Sequence, residues 1–119
     1  MDLFRELQMV ANTNPFKVAV IFNGMEVTYK ELVERTICFS ENLGNAGIKR
    51  GERVCVILAN GIDYIVSYYG TIAAGCIVVP VNVGFKREEI RGIVDDCSAE
   101  VIVSTEDCAD LIAEVVSCC

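Results

Sequence analysis

A chain without a single histidine has few ways to activate a nucleophile near neutral pH. Its serine, threonine and cysteine side chains lack the customary neighbouring base, which closes off hydrolysis by a catalytic triad. The seven cysteines, Cys38, Cys55, Cys76, Cys97, Cys108, Cys118 and Cys119, are odd in number and contain no C-x-x-C spacing. With no histidine to complete a ligand set, they argue against zinc. Cys38 and Cys55 sit inside apolar patterns and read as small buried hydrophobes. Cys118 and Cys119 read as exposed thiols open to adventitious oxidation between molecules. Asp63, Asp95 and Asp96 fall inside helical patterns rather than at strand ends, so they face solvent and do not make a phosphoacceptor. Neither G-x-x-x-x-G-K-[ST] nor G-x-G-x-x-G is present, which removes the two commonest phosphate-cradling loops.

Any chemistry must therefore come from loops, and the elements that hold them can be read from periodicity. Residues 2–11 form an amphipathic helix with Leu3, Leu7 and Val10 on one side. A strand over 17–22 meets Asn23-Gly24, whose tolerance of positive φ folds the chain back into 25–28 as a hairpin. Thr28 and Glu31 have the form of a capping box, flanked by Val27 and Leu32 as a hydrophobic staple. The helix they start carries Leu32, Val33, Thr36, Ile37, Ser40 and Leu43 on one stripe and stops at Gly44. Gly47 and Gly51 then turn the chain into an apolar strand over 53–59. Asn60 and Asp63 repeat the capping logic ahead of a helix bearing Ile62, Ile65, Val66, Tyr69, Ile72 and Ala73, which Gly75 ends. Residues 77–81 are β-branched without alternation, as in a strand covered on both faces, with Pro80 near its end. A helix with Ile90, Ile93, Val94 and Cys97 follows, then a strand over 100–104 and a last helix capped by Ser104 or Thr105.

Strand and helix in strict alternation predict an α/β fold. The sheet is mostly parallel with helices on both faces, is preceded by a β-hairpin, and is joined by right-handed crossovers. A length of 119 residues suits one domain, and 53% hydrophobic residues with only 2 prolines argue for a packed interior. The mean hydropathy of +0.44 fits a doubly covered sheet. The net charge of −7, with no basic cluster, disfavours nucleic acid and anionic lipid as partners. The uncharged run over 64–85 is interrupted by Gly70, Gly75 and Pro80 and so reads as helix, turn and strand, not as a membrane span. Met1-Asp2 opens no basic-then-apolar leader, which makes the cytoplasm the expected compartment.

In an open parallel sheet, ligands collect beyond the carboxyl ends of the strands. Here those ends are Ala59-Asn60-Gly61, Asn82-Val83-Gly84-Phe85 and Ser104-Thr105. Asn60 is most economically a helix cap, with ligand contact as the alternative.

Two segments, Val27-Thr28-Tyr29-Lys30-Glu31-Leu32 and Ala73-Ala74-Gly75-Cys76-Ile77-Val78-Val79-Pro80-Val81-Asn82, resemble the first two ordered landmarks of the AMP-forming acyl-adenylate ligases. Gly47-Ile48-Lys49-Arg50-Gly51-Glu52-Arg53-Val54 and Asn60-Gly61-Ile62-Asp63-Tyr64 are also similar to that family, over roughly residues 19–103. The first landmark also has a plain structural reading, since Thr28 and Glu31 start a helix without touching substrate. The resemblance implies the amino-terminal piece of an AMP-binding ligase domain, catalytically incomplete by itself. The phosphate-gripping, ribose-binding and hinge motifs and the catalytic lysine lie further along in that family. It further implies ATP, magnesium and coenzyme A for the full ligase, none of them held by this piece alone, and no catalytic residue here. Asn82 resembles the acyl-CoA synthetase branch, where peptide-synthetase adenylation domains commonly carry aspartate. By the same likeness Val83, Gly84 and Phe85 are the positions near the nucleotide end of coenzyme A, with Lys86 and Arg87 able to offset its charge. The alternative for this loop is a tight turn plus a core phenylalanine. The implied partner is the remainder of the ligase chain. A rival reading is a stand-alone, non-catalytic module that self-associates or swaps domains through an exposed sheet edge. A flavodoxin-like binding protein would need a phosphate-cradling loop after its first parallel strand, and Ala59-Asn60-Gly61-Ile62 is too sparse for one.

Overall fold

Four consecutive residues of β3 (Arg53–Ile57), Val54 to Ile57, lose all contact with solvent, and the fold is arranged around them. In the computed structural model, which describes residues 3–81, 84–97 and 101–104, β3 is the middle strand of a parallel three-stranded sheet. It lies between β4 (Ile77–Pro80) and β5 (Val101–Ser104). The register sets Val54 opposite Val78 and Val101, and Cys55 opposite Val79 and Ile102. Because side chains alternate along a strand, these pairs divide into two faces. Val54 and Val56 share one with Val78, Val101, Val103 and Tyr64 of α3 (Ile62–Ala73). Cys55 and Ile57 share the other with Val79, Ile102, and Ile90 and Ile93 of α4 (Arg87–Cys97). Each buried valine or isoleucine contributes about 1.5–3 kcal/mol relative to leaving it in water. Helices thus cover both faces of a parallel sheet, as the alternating pattern requires.

The two crossovers leave in opposite lateral directions and use opposite faces, so they share one hand. Pro80 ends β4, and the next N–H, that of Val81, donates to the Val56 carbonyl at 2.9 Å.

A second apolar centre lies beyond α3. There Ile62, Ile65, Val66 and Tyr69 meet Phe4 and Leu7 of α1 (Leu3–Thr13) and Leu32 and Val33 of α2 (Tyr29–Asn45). Val27 of the hairpin completes it. Buried on both sides, α3 carries one charged residue, Asp63. The hairpin pairs β1 (Val18–Phe22) with β2 (Met25–Thr28) across Asn23 (φ 51°) and Gly24 (φ 79°), the positive-φ pair a two-residue turn needs. Thr28 Oγ1 accepts from the Glu31 N–H at 3.2 Å, and the Glu31 carboxylate accepts from the Thr28 N–H at 3.3 Å. Val27 and Leu32 are buried together beside this box, so both the box and the staple form.

Several expectations are corrected. Helix α2 runs through Gly44 and ends in a Schellman motif: Gly47 takes φ 88°, and the Ile48 N–H donates to the Leu43 carbonyl at 3.1 Å. Gly44 stays helical because the left-handed residue that stops the helix is three positions later. On α1 the inward residues are Leu7 and Ala11, with Phe4 packed beside Leu7, while Leu3 and Val10 are exposed. The helix carries two overlapping apolar stripes, and docking on α2 and α3 selects one of them. Cys38 is exposed, not buried, because two residues beyond buried Thr36 an α-helix has turned by about 200°. Cys55 is buried as expected. β4 is an edge strand in the described sheet with Ile77 49% exposed, so among these strands full burial is confined to Val54–Ile57 of β3. The last helix expected after Ser104, with Thr105, Cys108, Cys118 and Cys119, lies outside the described residues.

Candidate functional site

From β3 the chain leaves toward the face covered by α3, and from β4 toward the face covered by α4. Adjacent parallel strands whose outgoing loops part to opposite faces leave a crevice between their carboxyl ends, the usual ligand position in open α/β sheets. By that rule Ala59-Asn60-Gly61, which leaves β3, would form one wall and the turn holding Gly84 and Phe85, which follows β4, the other. Asn82 and Val83 lie outside the described residues.

Phe85 is half-buried and packs against the cluster of Cys55, Ile57, Val81 and Ile90, so its ring anchors the turn to the α4 face. Gly84 remains exposed at the surface of the same turn. Immediately after it, the Lys86 N–H donates to the Glu89 carboxylate at 3.2 Å, and Glu88 and Glu89 both occupy the first turn of α4. Carboxylates already answer the positive end of this helix, so a phosphate arriving there displaces or repels a resident charge. The turn, as it stands, places Gly84 at the surface and an aromatic anchor at Phe85.

On the other wall, Asn60 does not cap α3. The N-cap is Gly61, extended at φ 160° and ψ −170°, and no side chain bonds the amides of the first turn. The helix starts one residue later than an asparagine cap would set it because the chain remains extended through Gly61. A Cβ at that position would lie 3.3 Å from the Phe22 ring, so the glycine lets the hairpin close against the head of α3. Asn60 is left exposed on the rim of a groove of about 370 Å³ between the hairpin turn and α3, lined among others by Phe22, Met25, Leu58 and Arg35. Sequence reasoning missed this groove. The only signal for it was Asn23-Gly24, which announces a hairpin but not where the hairpin docks.

At the far end of α3, Gly75 takes φ 79° and the Cys76 N–H donates to the Thr71 carbonyl at 3.1 Å, a second Schellman stop. A Cβ there would lie 2.9 Å from the Arg50 side chain. The glycine of the second landmark therefore serves both a helix end and a close approach. Cys76 is buried, and its Sγ donates to the Lys49 carbonyl at 3.3 Å. Burial, reinforced by Glu52, pushes this thiol up from its ordinary value, the opposite of what a nucleophile needs. Among the described residues no three His, Cys, Asp or Glu side chains come together to hold a metal ion. Nor is any described helix long and apolar enough to cross a membrane.

The family model for AMP-binding enzymes matches residues 7–118, nearly the whole of the chain. The chain belongs to the AMP-binding enzyme family. A 2-succinylbenzoate–CoA ligase of Bacillus cereus (strain AH820) is 31% identical over 101 residues, which are 85% of this chain and 21% of the relative. A benzoate CoA ligase from Burkholderia xenovorans LB400 superposes with a TM-score of 0.92 at 20% identity, over 98% of this chain and 24% of that one. The N-terminal domain of FACL13 from Mycobacterium tuberculosis superposes with a TM-score of 0.89 at 22% identity, over 95% and 29% respectively. These likenesses establish the fold. This AMP-binding enzyme chain spans about a fifth of the length of the curated relatives it matches.

Proposed function

We propose that this chain is the amino-terminal part of a cytoplasmic, ATP-dependent, AMP-forming ligase that joins a carboxylic acid to coenzyme A, and that its 119 residues make one α/β domain of it. In that reaction a carboxylate oxygen attacks the α-phosphorus of ATP and pyrophosphate leaves. The coenzyme A sulfur then attacks the acyl carbonyl and AMP leaves. The observation that carries the proposal is the family match over residues 7–118. Within the ligase this chain binds and positions. Gly84 offers backbone that a nucleotide can approach without a Cβ in the way, and Phe85 holds that turn to the core. Val83 belongs to the same nominated loop. Attack and leaving-group chemistry belong to the remainder of the ligase chain, this part's principal partner. ATP, magnesium and coenzyme A are requirements of that whole ligase.

The names of the relatives suggest the first acids to test: 2-succinylbenzoate and benzoate, with a long-chain fatty acid as the contrasting class. Carboxylate-dependent exchange of pyrophosphate into ATP is the assay. It is expected from a ligase translated from a reading frame that continues beyond Cys119, and not from the 119-residue chain alone. Exchange by the short chain by itself overturns the assignment of catalysis to the remainder.

A second reading rests on the β4 edge, where Ile77 is 49% exposed. There the chain acts as a non-catalytic module that pairs with a second copy or swaps an element through that edge. Light scattering separates the two readings: a monomer at high protein concentration removes the module.

A further inference from the structure

No further inference is drawn: the strongest candidate, the groove of about 370 Å³ between the hairpin turn and the first turn of α3, is rimmed by exposed Phe22 and Met25 with Arg35 and Asp63 of opposite charge, and nothing in the structure shows what covers it.

Discussion

Two threonines buried to 0% exposure on neighbouring helices should respond in opposite directions to the same substitution. Thr71 Oγ1 donates to the Ser67 carbonyl at 2.7 Å, whereas Thr36 Oγ1 has no hydrogen-bond partner among the described residues although it is closed off from solvent. A buried hydroxyl with nothing to bond costs about 1–3 kcal/mol of desolvation, while a satisfied one contributes about 0.5–1.5 kcal/mol net. Valine preserves the branched shape and nearly the same helix propensity, so Thr→Val isolates the hydroxyl. We expect Thr36→Val to stabilise the fold by about 1 kcal/mol and Thr71→Val to destabilise it by about the same amount. For 119 residues the unfolding entropy is roughly 0.25 kcal/mol/K, so each change moves the midpoint by about 4 °C, upward for position 36 and downward for position 71. Thermal and urea unfolding followed by far-ultraviolet circular dichroism would measure both. A lower midpoint for Thr36→Val, or equal losses at the two sites, refutes the reasoning and means that Thr36 is hydrogen-bonded in solution.

The other expectations are more local. At Gly70 a Cβ would come within 2.5 Å of Phe39 Cδ1 and 3.0 Å of Phe39 Cβ, so Gly70→Ala should cost about 1–3 kcal/mol, and adding Phe39→Leu should recover part of it. Removing the cap in Thr28→Ala should cost about 1 kcal/mol in the same unfolding assay. The Thr28 N–H, followed by its hydroxyl, holds the Glu31 carboxyl below its ordinary 4.5. A depressed folded value means a contribution that is present above the unfolded value and lost as pH falls through the folded one, so Glu31→Gln should flatten the stability profile below about pH 4.5. In peptide-resolved alkylation, exposed Cys38 should react well before buried Cys55 and Cys76, and equal rates would contradict the burial of the latter pair.

How much was legible follows the range of each interaction. The capping box at Thr28 and Glu31, the Asn23-Gly24 turn and the Gly75 stop involve partners within five residues, and each formed where the sequence placed it. Gly47 shows the limit even at short range. Gly44 and Gly47 both offer a helix end, and the choice between them depends on Ile48 joining the cluster of Val54, Val56 and Cys76. On α1 periodicity supplied two apolar stripes, and only α2 and α3 decided that Leu7 and Ala11 turn inward while Leu3 and Val10 stay in water. Asn60 looked like a cap because its residue type suits one. The N-cap is instead Gly61, where a Cβ would lie 3.3 Å from the ring of Phe22, thirty-nine positions before that glycine, a contact no local pattern announces.

The candidate loop divides in the same way. Its location at a strand end could be read from the order of strand and helix. That Phe85 points into the α4 core while Gly84 is left at the surface required the packed cluster around Ile90.

Composition, alternation and local capping chemistry by themselves determined a parallel α/β body, because strand period, helix period and turn geometry are set by residues a few positions apart. Only the tertiary structure decided that β3 is the buried middle strand, that β4 is an edge of the sheet the described residues form, and that the hairpin closes on the head of α3. These outcomes depend on contacts between residues tens of positions apart, whose free energy comes from excluding water between surfaces that no local pattern pairs.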